Sequence, residues 1–174
     1  RTAAGSSGGT AVAITSNFAT AGLGTDTGSS IRRPSSFSNL YGLRPSKGLT
    51  SIDGVVPLNG DRDVTGPICR SAEDLATIMT AIAGTDANDS YTVDANADSL
   101  KPANGYESGL KADGLKGKKI GYLSNSFGYY VANDDSDAGE RTTELDSKIS
   151  DMVEKAKENL EAGGAELVDI SQYI

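Results

Sequence analysis

A chain of 174 residues with 21 Gly, no His, one Cys and a net charge of −8 is the size of one domain or two small ones. Without His, every mechanism resting on an imidazole base or ligand is excluded within this chain, Ser–His–Asp hydrolysis included. The single Cys excludes an internal disulfide framework and a Cys-based zinc site, and the lack of any long apolar run argues against a membrane span. Residues 1–60 carry five basic and two acidic side chains, whereas the remainder carries eleven basic and twenty-two acidic. That acidic remainder speaks against a nucleic-acid surface, which needs clustered Lys and Arg.

The chain opens on Arg1-Thr2-Ala3-Ala4, which has no apolar signal-peptide core. A start without Met that runs straight into a glycine-rich motif reads as a piece of something longer. Gly5-Ser6-Ser7-Gly8-Gly9 is expected to open a helix from Gly9 to about Ala19, since Ala11, Val12, Ala13, Ile14 and Phe18 follow at near-helical spacing. A second glycine loop is expected over Gly22 to Ser30. Residues 40–68 alternate short apolar runs with Gly and Pro, as loops and short strands do.

Ser71 to Ala83 is the clearest helix. Ser71 is a good N-cap, with Asp74 three residues on, and Leu75, Ile78, Met79 and Ile82 share one face before Gly84. The polar stretch 85–114 reads as a surface excursion. Lys119 to Leu123 reads as a strand. Thr143 to Ala162 reads as an amphipathic helix with Leu145, Ile149, Met152, Val153, Ala156 and Leu160 inward. Gly163-Gly164 stops it, and Glu166 to Ile170 is a second strand. Strand, helix and strand at that spacing imply a βαβ unit and a parallel pair.

Taken singly, neither N-terminal glycine loop is specific. Gly22 to Ser30 lacks the Lys of a P-loop and the glycine spacing of a dinucleotide fingerprint. Together they are. Gly-Ser-Ser-Gly-Gly-Thr-Ala from Gly5, Gly-Leu-Gly-Thr-Asp-Thr-Gly-Ser-Ser-Ile-Arg from Gly22, and Tyr-Gly-Leu-Arg-Pro-Ser-Lys-Gly from Tyr41 resemble the amidase signature family. Asp53-Gly54-Val55-Val56-Pro57-Leu58 and Gly66-Pro67-Ile68-Cys69-Arg70-Ser71-Ala72-Glu73-Asp74-Leu75 continue the resemblance, which returns in the C-terminal βαβ.

The resemblance implies an α/β fold, part of the amidase signature fold, with a mixed β-sheet flanked by helices on both faces. Residues 1–174 would form a single partial domain: a signature core with the nucleophile loop (1–84), the excursion (85–114) and the βαβ segment (115–174). It also implies a Ser–Ser–Lys triad. Ser30, before Ile31-Arg32, takes the nucleophile position, and Ser6, 24 positions earlier, takes the bridging one, entered through a cis peptide bond. Ser7 matches a second serine that hydrogen-bonds the triad, and Asp26 and Arg32 match positions that brace the loop. The backbone N–H groups of Thr27, Gly28 and Ser29 match the oxyanion hole.

These residue types suit acyl transfer. A serine hydroxyl needs a base, and without His a neutral Lys with a lowered pKa can serve, relayed through a hydroxyl that both donates and accepts. The family places that lysine some tens of residues upstream of the bridging serine, yet only five residues precede Ser6, and neither Lys47, Lys101 nor a later lysine occupies its place. The chain therefore holds two of three triad members. Ser29 replaces a frequent glycine, so the oxyanion hole requires that Ser29 avoid positive φ; Ala4 and Arg33 are further departures.

The implied activity is that of a stand-alone amidase forming an acyl-enzyme on Ser30. A glutamine-hydrolysing amidotransferase component is the alternative, but Leu58 to Val64 and Phe37-Ser38-Asn39 depart from that subgroup, which usually carries Phe-Cys-Gly at the latter place. A non-catalytic docking relative is the runner-up, disfavoured because both serines are retained. Expected partners are a small-molecule amide and the remaining segments of the same enzyme, with a homodimer left open; no nucleic acid, membrane span, cofactor or metal is expected. A lone Cys fits a reducing cytoplasm. Asn133 to Asp137 with Glu144 only faintly echoes a calcium loop, since Ala138 stands where Gly is required. Asn88-Asp89-Ser90 is a glycosylation pattern, Tyr129-Tyr130 reads as packing, and Cys69 as a small buried apolar residue.

Overall fold

A computed structural model describes residues 2–124 and 147–173. Thr143, Leu145, Tyr129-Tyr130 and the acidic stretch from Asn133 to Glu144 lie outside the described residues. The chain divides into two compact units, Arg1–Leu110 and Lys111–Ile174.

The first unit is built on a three-stranded antiparallel sheet. Strands β1 (Ala21–Asp26) and β2 (Tyr41–Gly42) flank β3 (Val64–Cys69), with Ala21 opposite Cys69 and Asp26 opposite Val64. The central strand is the most buried, as a strand covered on both edges should be. Helix α1 (Gly8–Thr15) lies against β1 and buries Ala11 and Ile14. Ile14, Ile31 and Ile68 form the centre of the core, with Ala19 and Leu40 packed around them.

Strand β1 takes the first part, Gly22 to Asp26, of the loop expected over Gly22 to Ser30, and only 27–30 remain a turn. Its glycines have little strand propensity, but they occupy positions where a side chain would collide. A Cβ at Gly22 would lie 2.7 Å from Thr10 Cγ2, and one at Gly24 would lie 2.7 Å from Ser7 Oγ. Glycine here lets α1 approach the strand closely, a long-range reason that local composition cannot express. Helix α1 also ends earlier than expected. Asn17 adopts φ 61°, and the Phe18 N–H closes onto the Ala13 carbonyl at 2.8 Å, a left-handed C-terminal cap. Phe18, which the sequence placed within the helix, lies beyond its end and is 85% exposed.

Helix α2 (Arg32–Phe37) follows the turn after β1, and α3 (Ala72–Ile82) follows β3. The Ser71 hydroxyl caps α3 by accepting the Asp74 N–H at 3.0 Å, and Met79 is buried as its spacing predicted. The stretch 85–110 holds two short helices, α4 (Ser90–Asp94) and α5 (Ala97–Leu100), and a single 3₁₀ turn. Thr92 is buried among polar partners: its hydroxyl takes the Asp86 N–H at 2.8 Å and bonds the Asp86 and Asp89 carbonyls. Asp89, the middle residue of the glycosylation pattern, is buried, caps α4 through the Tyr91 N–H and accepts the Ile52 N–H at 2.9 Å.

The second unit contains the expected parallel pair. Strands β4 (Lys119–Tyr122) and β5 (Glu166–Asp169) pair with Lys119 opposite Glu166, and helix α6 (Ser147–Ala162) lies between them in sequence. A Cβ at Gly121 would lie 3.1 Å from Ile170, so this glycine seats the end of the second strand segment. Ile149, Val153 and Leu160 are half-buried, but Met152, expected inward, is 71% exposed, and Ala156 is exposed as well. The inward stripe of α6 is thus narrower than its apolar pattern. No helix among the described residues is long and apolar enough to cross a membrane.

Gly66 offers a direct test of how tightly the first unit is built. A Cβ there would strike the Leu43 carbonyl and stand 2.8 Å from the Pro45 ring, whereas one at Gly109 meets nothing within 4 Å. Gly66→Ala is expected to cost about 1–3 kcal/mol of stability through overpacking, and Gly109→Ala about 0.5 kcal/mol or less, measured by urea unfolding with circular dichroism.

Candidate active site

The two serine loops meet. Ser6 and Ser7 form the turn that leads into α1, and Ser29 and Ser30 the turn between β1 and α2. The Ser7 N–H donates to the Ser30 carbonyl at 3.1 Å, which holds the loops side by side. The Gly5–Ser6 peptide bond is cis.

Ser7 stands at the N-cap of α1 but does not cap it. Its hydroxyl turns instead to β1, donating to the Thr25 carbonyl at 3.2 Å and accepting the Thr25 N–H at 3.1 Å. Three residues along, the Thr10 hydroxyl donates to the Leu23 carbonyl at 3.1 Å. Side chains at the start of the helix thus satisfy backbone groups of β1 as a neighbouring strand would. Ser7 is the loop's anchor to the strand. Among the described residues the Ser6 and Ser30 hydroxyls make no hydrogen bond.

Asp26, at the end of β1, is fully buried and holds the other side of the loop. Oδ2 accepts the Ile31 N–H at 3.2 Å, the Arg32 N–H at 3.4 Å and Arg32 Nε at 3.0 Å. Oδ1 accepts Arg32 Nη2 and Arg44 Nη1, both at 3.2 Å, and Arg44 Nη1 also donates to the Asp26 carbonyl. Arg32 reaches on to the Gly28 carbonyl at 2.5 Å. Burial pushes the Asp26 carboxyl up, but the Arg32 side chain, the Ile31 and Arg32 N–H groups and the Arg32 charge outweigh it, so it titrates below its ordinary value of 3.8.

Between those anchors run Thr27, Gly28 and Ser29. Among the described residues, positive φ at non-glycine positions is confined to Ala4, Asn17, Asn39 and Asn96, so Ser29 meets the backbone condition its side chain imposes. The N–H groups of Thr27, Gly28 and Ser29 donate to no protein acceptor among the described residues. The Thr27 hydroxyl donates to Asp63 Oδ1 at 2.5 Å.

Two residues of this region escaped the sequence reading. Asp63 sits in Asp61-Arg62-Asp63, which has the look of any solvated charge cluster, yet it is 3% exposed. Arg44 carried no local signal beyond its place in the Tyr41 to Gly48 motif. Cys69 is buried as expected, and burial, with the nearby Asp74 charge, pushes its thiol up to about 11, an unreactive state. No cluster of three or more His, Cys, Asp or Glu able to hold a metal occurs among the described residues. A cavity of about 340 Å³ is lined by Ser7, Thr10, Leu23, Gly24, Thr25, Val55 and Thr65; neither Ser6 nor Ser30 lines it.

The sequence model of a family described as Amidase matches residues 1–173. The chain belongs to the amidase family. A glutamyl-tRNA(Gln) amidotransferase subunit from Clostridium botulinum is 40% identical over 167 residues, which cover 96% of this chain and 30% of that protein. The peptide amidase of Stenotrophomonas maltophilia superposes with a TM-score of 0.75 at 32% identity, covering 97% of this chain and 31% of the other. The corresponding glutamyl-tRNA(Gln) amidotransferase subunit of Thermotoga maritima superposes with a TM-score of 0.77 at 30% identity, covering 97% and 33%. The chain therefore has the amidase signature fold and spans about a third of the length of these relatives.

The Asp26 brace carries a pH signature. A carboxyl whose folded pKa is lowered contributes stability above its unfolded value of 3.8, and that contribution is lost as pH falls through the lower folded value. Asp26→Asn is expected to cost about 3 kcal/mol at neutral pH, because it leaves buried donors and two guanidinium groups poorly matched. The same variant should lose less further stability than the parent on acidification below pH 3.8, measured as urea midpoints across a pH series.

Proposed function

We propose that this chain carries the nucleophile-bearing segment of an amide hydrolase. The reading rests on one observation above the others: the Ser7 N–H to Ser30 carbonyl bond that sets the two serine loops against each other. Ser30 Oγ attacks the amide carbonyl carbon, and its proton passes through the Ser6 hydroxyl to a neutral lysine supplied from outside these 174 residues. The tetrahedral oxyanion is received by the N–H groups of Thr27, Gly28 and Ser29. Collapse breaks the C–N bond, the proton returns by the same route to the leaving amine, and an ester remains on Ser30. Water then attacks that ester, losing its proton to the same relay, and releases the acid and Ser30.

Asp26 and Arg32 do not touch the substrate in this scheme. They fix the start of α2, and with it the direction in which Ser30 leaves the turn. Orientation of this kind matters because a misplacement of about 1 Å can cost about a hundredfold in rate. The substrate is a small-molecule amide, and the remaining segments of the same enzyme complete its pocket.

The 40% identity to an amidotransferase component favours a second reading, glutamine hydrolysis feeding a partner-dependent transfer. The two readings differ in substrate and share the chemistry. Partner-dependent hydrolysis of glutamine would select the second; hydrolysis of simple amides without a partner would select the first.

A fluorophosphonate probe applied to the protein purified from its source tests the chemistry. The expected result is a single covalent adduct mapping to Ser30, absent in Ser30→Ala, whose amide turnover falls by about a thousandfold or more. An adduct that persists in Ser30→Ala, or turnover within about tenfold of the parent, would falsify the assignment of Ser30.

A further inference from the structure

The Asp26 brace and Ser7 hold the two ends of the nucleophile loop, but neither hydrogen-bonds the Thr27 hydroxyl. That contact belongs to Asp63, a buried residue 36 positions away, just before β3. Its carboxylate is fully engaged. Oδ1 takes the Thr27 hydroxyl at 2.5 Å, and Oδ2 takes the Leu58 and Asn59 N–H groups at 2.8 and 2.9 Å. The backbone around it is held as well: Lys47 Nζ donates to the Asp63 carbonyl at 3.0 Å, and the Asp63 N–H closes a turn onto the Asn59 carbonyl at 2.8 Å. The Lys47 ammonium lies 3.6 Å from the centre of the Tyr91 ring, so its position is defined from a second side.

A buried carboxylate this thoroughly bonded is a rigid post, and a hydrogen bond to a charged acceptor is shorter and stronger than one between neutral groups. Burial pulls against it, but the Thr27 hydroxyl leads the groups that hold the Asp63 carboxyl below its ordinary range, followed by the Leu58 and Asn59 N–H groups and the Lys47 charge. Thr27 is the first of the three residues that precede Ser30, and pinning its side chain limits rotation of the Thr27 and Gly28 peptide planes. Rotation of those planes is what would turn the loop N–H groups away from a developing oxyanion.

We propose that Asp63 is a positioning residue which, through the Thr27 hydroxyl, sets the orientation of the Thr27 and Gly28 N–H groups beside Ser30. The proposal rests on the amide-hydrolase reading above for its catalytic consequence, but the loop geometry it asserts can be measured without turnover. A carboxylate that only tied down the 58–63 turn would leave the loop and the rate indifferent to the Thr27 hydroxyl.

Thr27→Val and Thr27→Ser separate the two roles in the full protein, because valine keeps the shape and the N–H while serine keeps the donor. Thr27→Val is expected to lower kcat about tenfold or more with KM within about twofold, since the hole acts on the transition state. An aldehyde inhibitor, which forms the tetrahedral adduct, should weaken by a similar factor, and Thr27→Ser should recover most of the lost rate. Amide hydrogen exchange over residues 27–30 should quicken in Thr27→Val and return towards the parent in Thr27→Ser. Asp63→Glu, which keeps the charge and displaces the oxygens, is expected to behave as Thr27→Val does and serves if that variant does not fold. Unchanged kcat and unchanged exchange in the folded variants overturn the proposal. If the parent protein hydrolyses no amide, the hydrolase reading falls by itself; quickened exchange in Thr27→Val, reversed in Thr27→Ser, still upholds the positioning, and unchanged exchange overturns it.

Discussion

A carboxylate out of reach of water must have its charge answered by fixed donors, and the first unit is arranged around one such group. Asp26 ends β1, and its two oxygens draw in the backbone at the start of α2, the Arg32 side chain and Arg44 from beyond β2. Three segments of chain are thereby committed to one point. The turn from Thr27 to Ser30 has to cross that point, so its ends are defined before any packing of its own. Replacing the carboxylate would not simply weaken an ion pair; it would remove the reason those segments converge.

The second constraint is the closeness of α1 to β1. Gly22 and Gly24 leave no side chains between them, and Thr10, Ile14 and Ser7 fill the space instead. Ser7 then bonds both backbone groups of Thr25 through its hydroxyl while its own N–H reaches the Ser30 carbonyl. One small residue therefore joins the helix, the strand and the second serine loop. A larger side chain at either glycine would push α1 outward and take the Ser7 contacts with it, which couples the packing of the sheet directly to the spacing of the serines.

Membership of the amidase family and the separation into two units carry different information. The match to family members runs through nearly the whole chain, including the parallel β4–β5 pair and α6. Yet the residues with proposed chemistry all fall in the first unit, within Arg1–Leu110. Within the second unit, the side chains of Ser171 and Ser124 hold the Asp169 carboxyl down at about 2. That is the signature of a strand end tied off by serines.

Much of the local architecture was legible in the residues themselves. Ser71 with Asp74 marked the start of α3, the spacing to Met79 marked its buried face, and the strand, helix and strand of the C-terminal segment announced a parallel pair. Each of these depends on groups a few positions apart, where periodicity and capping rules operate. The tertiary structure decided the rest. Glycines that read as a loop became a strand because α1 needed their empty space; Phe18 turned outward because Asn17 ended the helix early; Met152 stayed exposed on a helix whose pattern pointed it in. Arg44 and Asp63 reach Asp26 and Thr27, at the end of β1 and the start of the turn that follows it, across 18 and 36 residues. At that range no spacing rule links donor to acceptor: only the folding of β3 against β1 brings them together, and only burial distinguishes a carboxylate that holds a loop from one that faces water.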